Sequence, residues 1–136
     1  MKIAIYPGSF NPWHEGHTDV LSKACQVFDK VVIAQGINPE KELIDRNRIP
    51  TEVLAKFHPQ VSTAAFKTLF ADFLKGKDFC AIIKGLRNIQ DFEYEKIQQY
   101  WNEDLGQTIP TFYVISDRKL THISSSAIRM IDKIKK

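Results

Sequence analysis

The sequence has little of what marks a membrane, secreted or nucleic-acid-binding protein. No apolar run approaches the ~18 residues of a transmembrane helix, and the N-terminus lacks a signal-peptide pattern. Only two of the 136 residues are cysteines; Cys25 and Cys80 lie among apolar neighbours, which predicts buried free thiols. The net charge is only +3, which disfavours a nucleic-acid partner. We therefore expect a soluble cytoplasmic protein that binds neither membranes nor nucleic acids.

Several familiar catalytic and nucleotide-binding patterns are also missing. The sequence contains neither G-x-x-x-x-G-K-[ST] nor G-x-G-x-x-G, which disfavours P-loop and dinucleotide-binding folds. His14 and His17 lie three residues apart, but no third ligand has a convincing spacing, and the pair does not match H-E-x-x-H. We therefore predict no protein-held metal site. No repeat, linker or low-complexity segment divides the chain, so residues 1–136 are predicted to form a single domain.

The chain does contain a regular alternation of strand-like and helix-like segments. Apolar runs of strand type lie at 3–6, 31–36, 61–66, 79–84 and 111–116. We expect the first run to end at Tyr6, because Pro7 and Gly8 break regular elements. Segments of helical periodicity lie near 18–28, 45–57 and 68–74, with two more towards the C-terminus. The alternation predicts an α/β fold: a single-domain, Rossmann-like sheet of five parallel strands with helices on both faces.

The last two predicted helices each carry an apolar stripe. The first begins with Asp91 as its N-cap, runs through Leu105, and places Glu95 and Asn102 on a polar face. The second is opened by the serines at 124–126, and we expect its isoleucines to face inward. The stripe positions are Tyr94, Ile97, Trp101 and Leu105 on the first helix, and Ile128, Ile131 and Ile134 on the second.

Three polar turns follow predicted strands, where open α/β sheets bind ligands. The first holds Ser9, Phe10, His14 and His17 between a strand and a helix start, an arrangement that suits a phosphate. The second is Lys84-Gly85-Leu86-Arg87, and the third is Ile123-Ser124-Ser125-Ser126 followed by Arg129. Together they favour a triphosphate ligand over an acyl or metal-dependent reaction. Taken singly, each has a structural alternative: a solvated histidine, a serine helix cap, or a surface arginine.

Three segments together resemble a known family. Residues 6–17 resemble the (T/H)xGH signature of nucleotidyltransferases, and residues 123–129 resemble the ISSSxxR motif of the same superfamily. Residues 84–95, Lys-Gly-Leu-Arg-Asn-Ile-Gln-Asp-Phe-Glu-Tyr-Glu, resemble the RGLRxxxDFEYE segment of the phosphopantetheine adenylyltransferase family. The order and spacing match over essentially the whole chain.

The resemblance implies a nucleotidyltransferase fold and a specific reaction. The enzyme would move AMP from ATP to 4′-phosphopantetheine, giving dephospho-coenzyme A and pyrophosphate. It would use Mg²⁺ carried with ATP and form a homo-oligomer, a hexamer in the family.

The resemblance also assigns roles to individual residues. His17 and Lys41 would be catalytic, one at the α-phosphate and the other at the acceptor phosphate. ATP would be bound by Ser9, Phe10, His14, His17, Gly85, Arg87, Glu95, Ser124, Ser125, Ser126 and Arg129. The acceptor would be bound by Ser9, Lys41, Phe70, Lys84, Tyr94 and Asn102.

Departures from the family pattern leave two alternatives open. Asn11, His14 and Lys84 stand where the family usually has Asp, Thr and Arg. His14 is typical of the related enzymes that adenylylate nicotinamide or nicotinate mononucleotide. The chain ends soon after the third motif, which raises the second alternative, an inactive module that senses ATP or coenzyme A.

Overall fold

The computed structural model of the chain describes residues 1–37, 49–117 and 125–135. Within these ranges the strands are β1 (Ile3–Gly8), β2 (Lys30–Gly36), β3 (Val61–Phe66), β4 (Ala81–Leu86) and β5 (Thr111–Ile115). The helices are α1 (Glu15–Val27), α2 (Thr51–Lys56), α3 (Phe70–Leu74), α4 (Ile89–Asp104) and α5 (Ser125–Lys135). In the described part of the chain, every helix is too short or too polar to cross a lipid bilayer.

The strands form one parallel sheet in the order β3-β2-β1-β4-β5. The chain adds β2 and β3 on one side of β1 and then returns to add β4 and β5 on the other. In open α/β sheets, ligands bind in the crevice at such a reversal point. Pairing between β1 and β4 covers only Ala4–Ala81 and Ile5–Ile82, although both strands continue further. The two strands therefore do not pair with each other towards their carboxyl ends, and a crevice opens there.

Apolar side chains cover both faces of the sheet. On one face, Leu21 and Ala24 of α1 pack with Ile33 and Ile83 of the sheet. On the other, Ile5 and Ile82 pack with Leu74 of α3 and with neighbouring phenylalanines. Because alternate residues of each strand point to opposite faces, burial of both faces requires unbroken apolar runs. The predicted five-stranded parallel sheet with helices on both faces is confirmed.

Several element boundaries differ from the predictions. Strand β4 covers Ala81–Leu86 and not 79–84, so Lys84, Gly85 and Leu86 lie in the strand and not in a turn after it. Pro7 and Gly8 do not break the first strand; they continue it and pair with Ala34 and Gln35 of β2. Asp91 is not the N-cap of α4. That position is held by Asn88, whose Oδ1 accepts a hydrogen bond from the backbone N of Asp91 at 2.8 Å. Asparagine caps helices as well as aspartate does, so the N-cap lies three residues before the predicted one at Asp91.

Helix α4 is oriented differently from what its apolar stripe suggests. None of its residues is buried, and Tyr94, Ile97, Trp101 and Leu105 are all exposed. Its half-buried side, which faces the sheet, includes Glu95, Gln99 and Asn102. The polar face therefore lies inward and the apolar face outward.

Three further side chains lie nearer the surface than predicted. Ile131 and Ile134 of α5 are exposed, so only Ile128 of the predicted set is partly buried. Cys80 is exposed and Cys25 is half-buried, so the prediction of two buried thiols is wrong. Cys80 immediately precedes β4, and the apolar core begins at the next residue, Ala81.

Candidate active site

A cleft of about 320 Å³ lies at the carboxyl ends of β1 and β4. One wall is formed by the β1–α1 turn and the start of α1, and the opposite wall by the end of β4 and the start of α4. The first residue of α5, Ser125, also lines it. The cleft occupies the crevice that the separation of β1 and β4 creates.

The β1–α1 turn is shaped by a buried aromatic residue. Phe10 is 3% exposed and has a φ of 48°, a left-handed conformation that residues other than glycine rarely adopt. Its ring lies over Gly8, where an added Cβ would be 2.9 Å from two ring carbons, so a larger residue there would displace the buried ring. The ring also packs edge-on against His17, with the ring centres 5.0 Å apart. Phe10 therefore positions the backbone of the β1–α1 turn beside His17.

His14 and His17 form a reciprocal cap at the N-terminus of α1. Nδ1 of His14 accepts a hydrogen bond from the backbone N of Gly16 at 3.0 Å, and Nδ1 of His17 accepts one from the backbone N of His14 at 3.1 Å. The two rings are stacked with centres 3.7 Å apart. Because both Nδ1 atoms accept, the ring proton of each neutral histidine is assigned to Nε2. Each ring therefore keeps an Nε2–H donor that the cap does not use.

Both histidines are held in the neutral form. Burial, followed by the neighbouring His14 and Arg87, lowers the pKa of His17 to about 3. The pKa of His14 is also lowered, by burial first and then by Arg87. At neutral pH, two uncharged N–H donors and a helix N-terminus therefore line one wall of the cleft.

The opposite wall carries two ion pairs. Nζ of Lys84 lies 3.3 Å from a carboxylate oxygen of Glu95. The guanidinium of Arg87 bonds both carboxylate oxygens of Asp91, from Nε to Oδ2 at 3.1 Å and from a terminal nitrogen to Oδ1 at 3.2 Å. Oδ2 of Asp91 also accepts the backbone N–H of Arg87 at 2.9 Å. The two cations are thus held at the cleft by carboxylates on the first turns of α4.

Helix α5 is attached to the β1–α1 turn. Oγ of Ser125 donates to the backbone oxygen of Pro12 at 3.0 Å, and the guanidinium of Arg129 donates to the backbone oxygen of Asn11. Ser125 lines the cleft, and Arg129 extends from α5 to Asn11 in the β1–α1 turn. These bonds connect the third sequence motif to the first.

A second, smaller pocket lies next to the cleft. It has a volume of about 10 Å³ and is bounded by α3, α4, β4 and β5. Lys84 and Glu95 line both spaces, so their ion pair stands at the junction. Phe70 and Asn102 line the second pocket only.

Comparisons with known proteins assign this chain to a family. Residues 5–131 match the family described as Cytidylyltransferase-like. Phosphopantetheine adenylyltransferase from Clostridium novyi (strain NT) is 37% identical over 134 residues, covering 96% of this chain and 83% of that protein. The corresponding protein from Clostridium tetani is 38% identical over 135 residues, covering 96% of this chain and 84% of that protein. The chain belongs to the phosphopantetheine adenylyltransferase family.

Two solved structures share the fold of this nucleotidyltransferase family at low sequence identity. A lipopolysaccharide core biosynthesis protein from Thermoplasma volcanium GSS1 matches with a TM-score of 0.57 and 18% identity, over 86% of this chain and 98% of that one. A pantoate-beta-alanine ligase from Francisella tularensis matches with a TM-score of 0.58 and 13% identity, over 98% of this chain and 69% of that one. At these identities the likeness concerns the fold alone.

Most residues that the phosphopantetheine adenylyltransferase resemblance assigns to a site lie together. Phe70 and Asn102 line the second pocket, and Arg129 bonds the β1–α1 loop. Lys41, Ser124 and the side chain of Ser126 lie outside the described residues, so their roles stay predictions. The predicted residues that line the cleft are Ser9, Phe10, His14, His17, Lys84, Gly85, Arg87, Tyr94, Glu95 and Ser125.

Sequence reasoning missed three supporting residues. Asp91, taken for a cap, instead holds Arg87; its position four residues after an arginine at a helix start was the available signal. Lys23 of α1 bonds the backbone oxygen of Ile115 at 2.8 Å and the carboxylate of Asp117 at 3.0 Å. It ties the end of β5 to α1. No sequence pattern marked Gln107, a buried residue of the second pocket.

Proposed function

We propose that the protein transfers the adenylyl group of ATP to the phosphate of 4′-phosphopantetheine. An acceptor phosphate oxygen bonds to the α-phosphorus of ATP, the bond from that phosphorus to the bridging oxygen breaks, and pyrophosphate leaves. The observation that carries this assignment is the pair of neutral histidine donors facing two cationic side chains across the cleft. A phosphate acceptor is already ionised at neutral pH, so the reaction needs alignment and charge stabilisation rather than a general base.

His17 is proposed to stabilise the transition state. Its Nε2–H donates to an α-phosphate oxygen as that oxygen gains charge. Because Nδ1 is fixed by the backbone of His14, the ring is already oriented before the substrate binds. A pKa of about 3 makes His17 a fixed hydrogen-bond donor and not a proton carrier at neutral pH.

The cations and the helix ends are proposed to hold the remaining phosphates. Arg87 and Ser125 bind the β- and γ-phosphates of ATP, while Lys84 binds the acceptor phosphate together with Lys41. Two of these cations are paired with carboxylates, so a phosphate oxygen must share or replace an existing ion pair. The carboxylates keep the cations positioned until then.

Mg²⁺ is proposed to enter with ATP as part of the substrate. Among the described residues no group of three His, Cys, Asp or Glu side chains could hold a metal ion. Asp91 and Glu95 line the cleft, but each is bonded to a cation. Magnesium binds readily through phosphates and water, so the donor set fits a metal carried by the nucleotide. We also propose a cytoplasmic location, where ATP is available.

Self-association is proposed through the exposed apolar face of α4. Tyr94, Ile97 and Trp101 form contiguous exposed apolar surface along one side of this helix. Monomeric proteins rarely expose large apolar patches, and a second copy of the chain would cover this one. The family resemblance implies a hexamer.

One assay separates the candidate functions. Pyrophosphate release from MgATP is measured with 4′-phosphopantetheine, nicotinamide mononucleotide or nicotinate mononucleotide as the sole acceptor. We expect turnover with 4′-phosphopantetheine only. Turnover with a mononucleotide alone would overturn the proposal. ATP binding without turnover on any acceptor would identify a sensor instead.

A further inference from the structure

Gln107 is a buried side chain with an unused acceptor atom. The residue is 6% exposed, and its Oε1 has no hydrogen-bond partner among the described residues. It follows Gly106, whose φ of 99° allows the tight turn after α4. Its backbone N donates to the backbone oxygen of Asn102 at 2.9 Å, which fixes its position below that helix. An unpaired buried acceptor costs stability, so its retention calls for an explanation.

In contrast to Gln107, Gln99 has hydrogen-bond partners for both its amide oxygen and its amide nitrogen. Gln99 lines the same pocket; its Oε1 accepts from the hydroxyl of Tyr113 at 2.9 Å, and its Nε2 donates to Glu103 at 3.2 Å. Gln99 therefore supports the pocket wall. The Oε1 of Gln107 has no such role in the described structure.

The location of Gln107 connects it to the reaction. Its pocket shares Lys84 and Glu95 with the cleft, and Lys84 is the proposed ligand of the acceptor phosphate. A tail that leaves a phosphate at Lys84 and passes the Lys84–Glu95 pair reaches the pocket where Gln107 lies. At about 10 Å³ this pocket has room for about one water molecule, so junction side chains must rotate to admit a tail.

We propose that Gln107 is a specificity-determining residue for the acceptor. Its Oε1 accepts a hydrogen bond from an N–H or O–H group on the tail of the phosphate-bearing substrate. This inference rests on the proposed function, because 4′-phosphopantetheine carries a hydroxyl and two amide N–H groups on its tail. A site with a buried acceptor discriminates against a ligand that lacks the matching donor, since the acceptor is then left unpaired.

The first test replaces Gln107 with leucine, which has a similar shape and no polar atom. We expect the KM for 4′-phosphopantetheine to rise roughly three- to tenfold, the effect of losing one uncharged hydrogen bond. The KM for ATP should stay within about twofold. The melting temperature of the free protein should be unchanged or higher, because an unpaired buried acceptor has been removed. An unchanged acceptor KM, or an equal rise in both KM values, would overturn the proposal.

Gln99→Leu is the matched control within the same pocket. It breaks two existing hydrogen bonds, so it should lower the melting temperature, unlike Gln107→Leu. A lower melting temperature for Gln107→Leu as well would assign Gln107 a structural role and refute the proposal.

The second test changes the substrate. Three analogues of 4′-phosphopantetheine each lose one donor: one is deoxygenated at the hydroxyl, and the others are N-methylated at one amide. One of them should show a raised KM with the wild-type protein, and most of that penalty should disappear in Gln107→Leu. Equal penalties in both proteins for every analogue would refute the inference. Absence of turnover with unmodified 4′-phosphopantetheine would instead contradict the proposed function itself.

Discussion

In the proposed mechanism, His14 and His17 act through their tautomer and not through their charge. Two rings stacked 3.7 Å apart and half-buried would repel each other if both were protonated. Their Nδ1 atoms accept backbone hydrogen bonds, which assigns both protons to Nε2. A neutral donor fixed by the backbone does not reorganise when charge develops on a phosphate oxygen, the condition under which electrostatic stabilisation is strongest.

Replacing His17 with alanine tests this role. We expect kcat to fall by about 100-fold or more, because one transition-state donor is lost. Stability should also fall, by about 1 kcal/mol for the hydrogen bond to the backbone of His14, and further because the ring contacts with Phe10 and His14 are lost. Steady-state kinetics and urea unfolding provide the two measurements. His58→Ala, an exposed histidine outside the cleft, is the control and should change neither quantity. A kcat within a few-fold of wild type would remove His17 from the mechanism.

The low pKa of His17 also predicts how stability depends on pH. An unfolded histidine has a pKa of about 6.5, whereas that of folded His17 is about 3. Between these values the unfolded chain binds a proton that the folded chain does not, so the free energy of unfolding decreases as the pH falls. His14 contributes in the same direction.

Urea unfolding at pH 7.5 and pH 4.5 measures this dependence. The loss of stability between the two should be smaller in His17→Gln than in the wild type. Equal losses in both proteins would show that His17 titrates normally in the folded state.

At the scale of the element, the start of α4 combines a helix cap with Arg87, the arginine proposed to bind the phosphates of ATP. Asn88 caps the helix through the backbone N of Asp91, and the Asp91 carboxylate holds the backbone and the guanidinium of Arg87. The geometry of Arg87 therefore depends on the helix start being formed.

Removal of this cap should affect folding and nucleotide binding together. Asn88→Ala is expected to lower the free energy of unfolding by about 1 kcal/mol, the usual value of an N-cap side chain. The KM for ATP should rise, because the turn that holds Arg87 frays. Asn88→Asp keeps a capping oxygen and should behave like wild type in both measurements. Loss of stability in Asn88→Asp equal to that in Asn88→Ala would show that the cap is not responsible.

The sequence predicted strands better than helix orientation. The run at 61–66 matches β3 residue for residue; Val61, Thr63 and Phe66 are of the residue types enriched in strands. The apolar stripe on α4 gave the wrong orientation for this helix. Apolar periodicity shows that a helix has an apolar face but not which partner covers that face. Within the described chain, the sheet side of this helix is polar because it borders the cleft and the second pocket.

The site was predictable to the extent that it follows from topology. Carboxyl ends of parallel strands share one edge, so turns far apart in sequence could be placed together. The ion pairs between side chains of the site could not be predicted in this way. The Lys84–Glu95 and Arg87–Asp91 contacts depend on how α4 packs beside β4. Gln107 gave no signal because a single polar residue in a loop has neither period nor motif.

At the scale of the whole molecule, the sheet separates two tasks. Its two faces are covered by apolar clusters that supply stability. The cleft opens at the edge formed by the carboxyl ends of the strands, where β1 and β4 separate. Helices α1, α4 and α5 meet at that edge, and α5 is attached to the first turn by Ser125 and Arg129. The outer, apolar face of α4 points away from this arrangement and is the surface proposed for self-association.

That outer face predicts the behaviour of the protein in solution. Trp101 is 67% exposed and lies within the apolar surface of α4, so a charge there should prevent association without disturbing the core. Light scattering after gel filtration should give wild-type protein a multiple of the 15.7 kDa chain mass, and Trp101→Glu a smaller assembly or the single-chain mass. Val27→Glu places the same charge at an exposed apolar position of α1 and should leave the assembly intact. Circular dichroism should be unchanged in both variants, because neither side chain is buried. A wild-type mass of one chain at every concentration would show that the face does not mediate self-association.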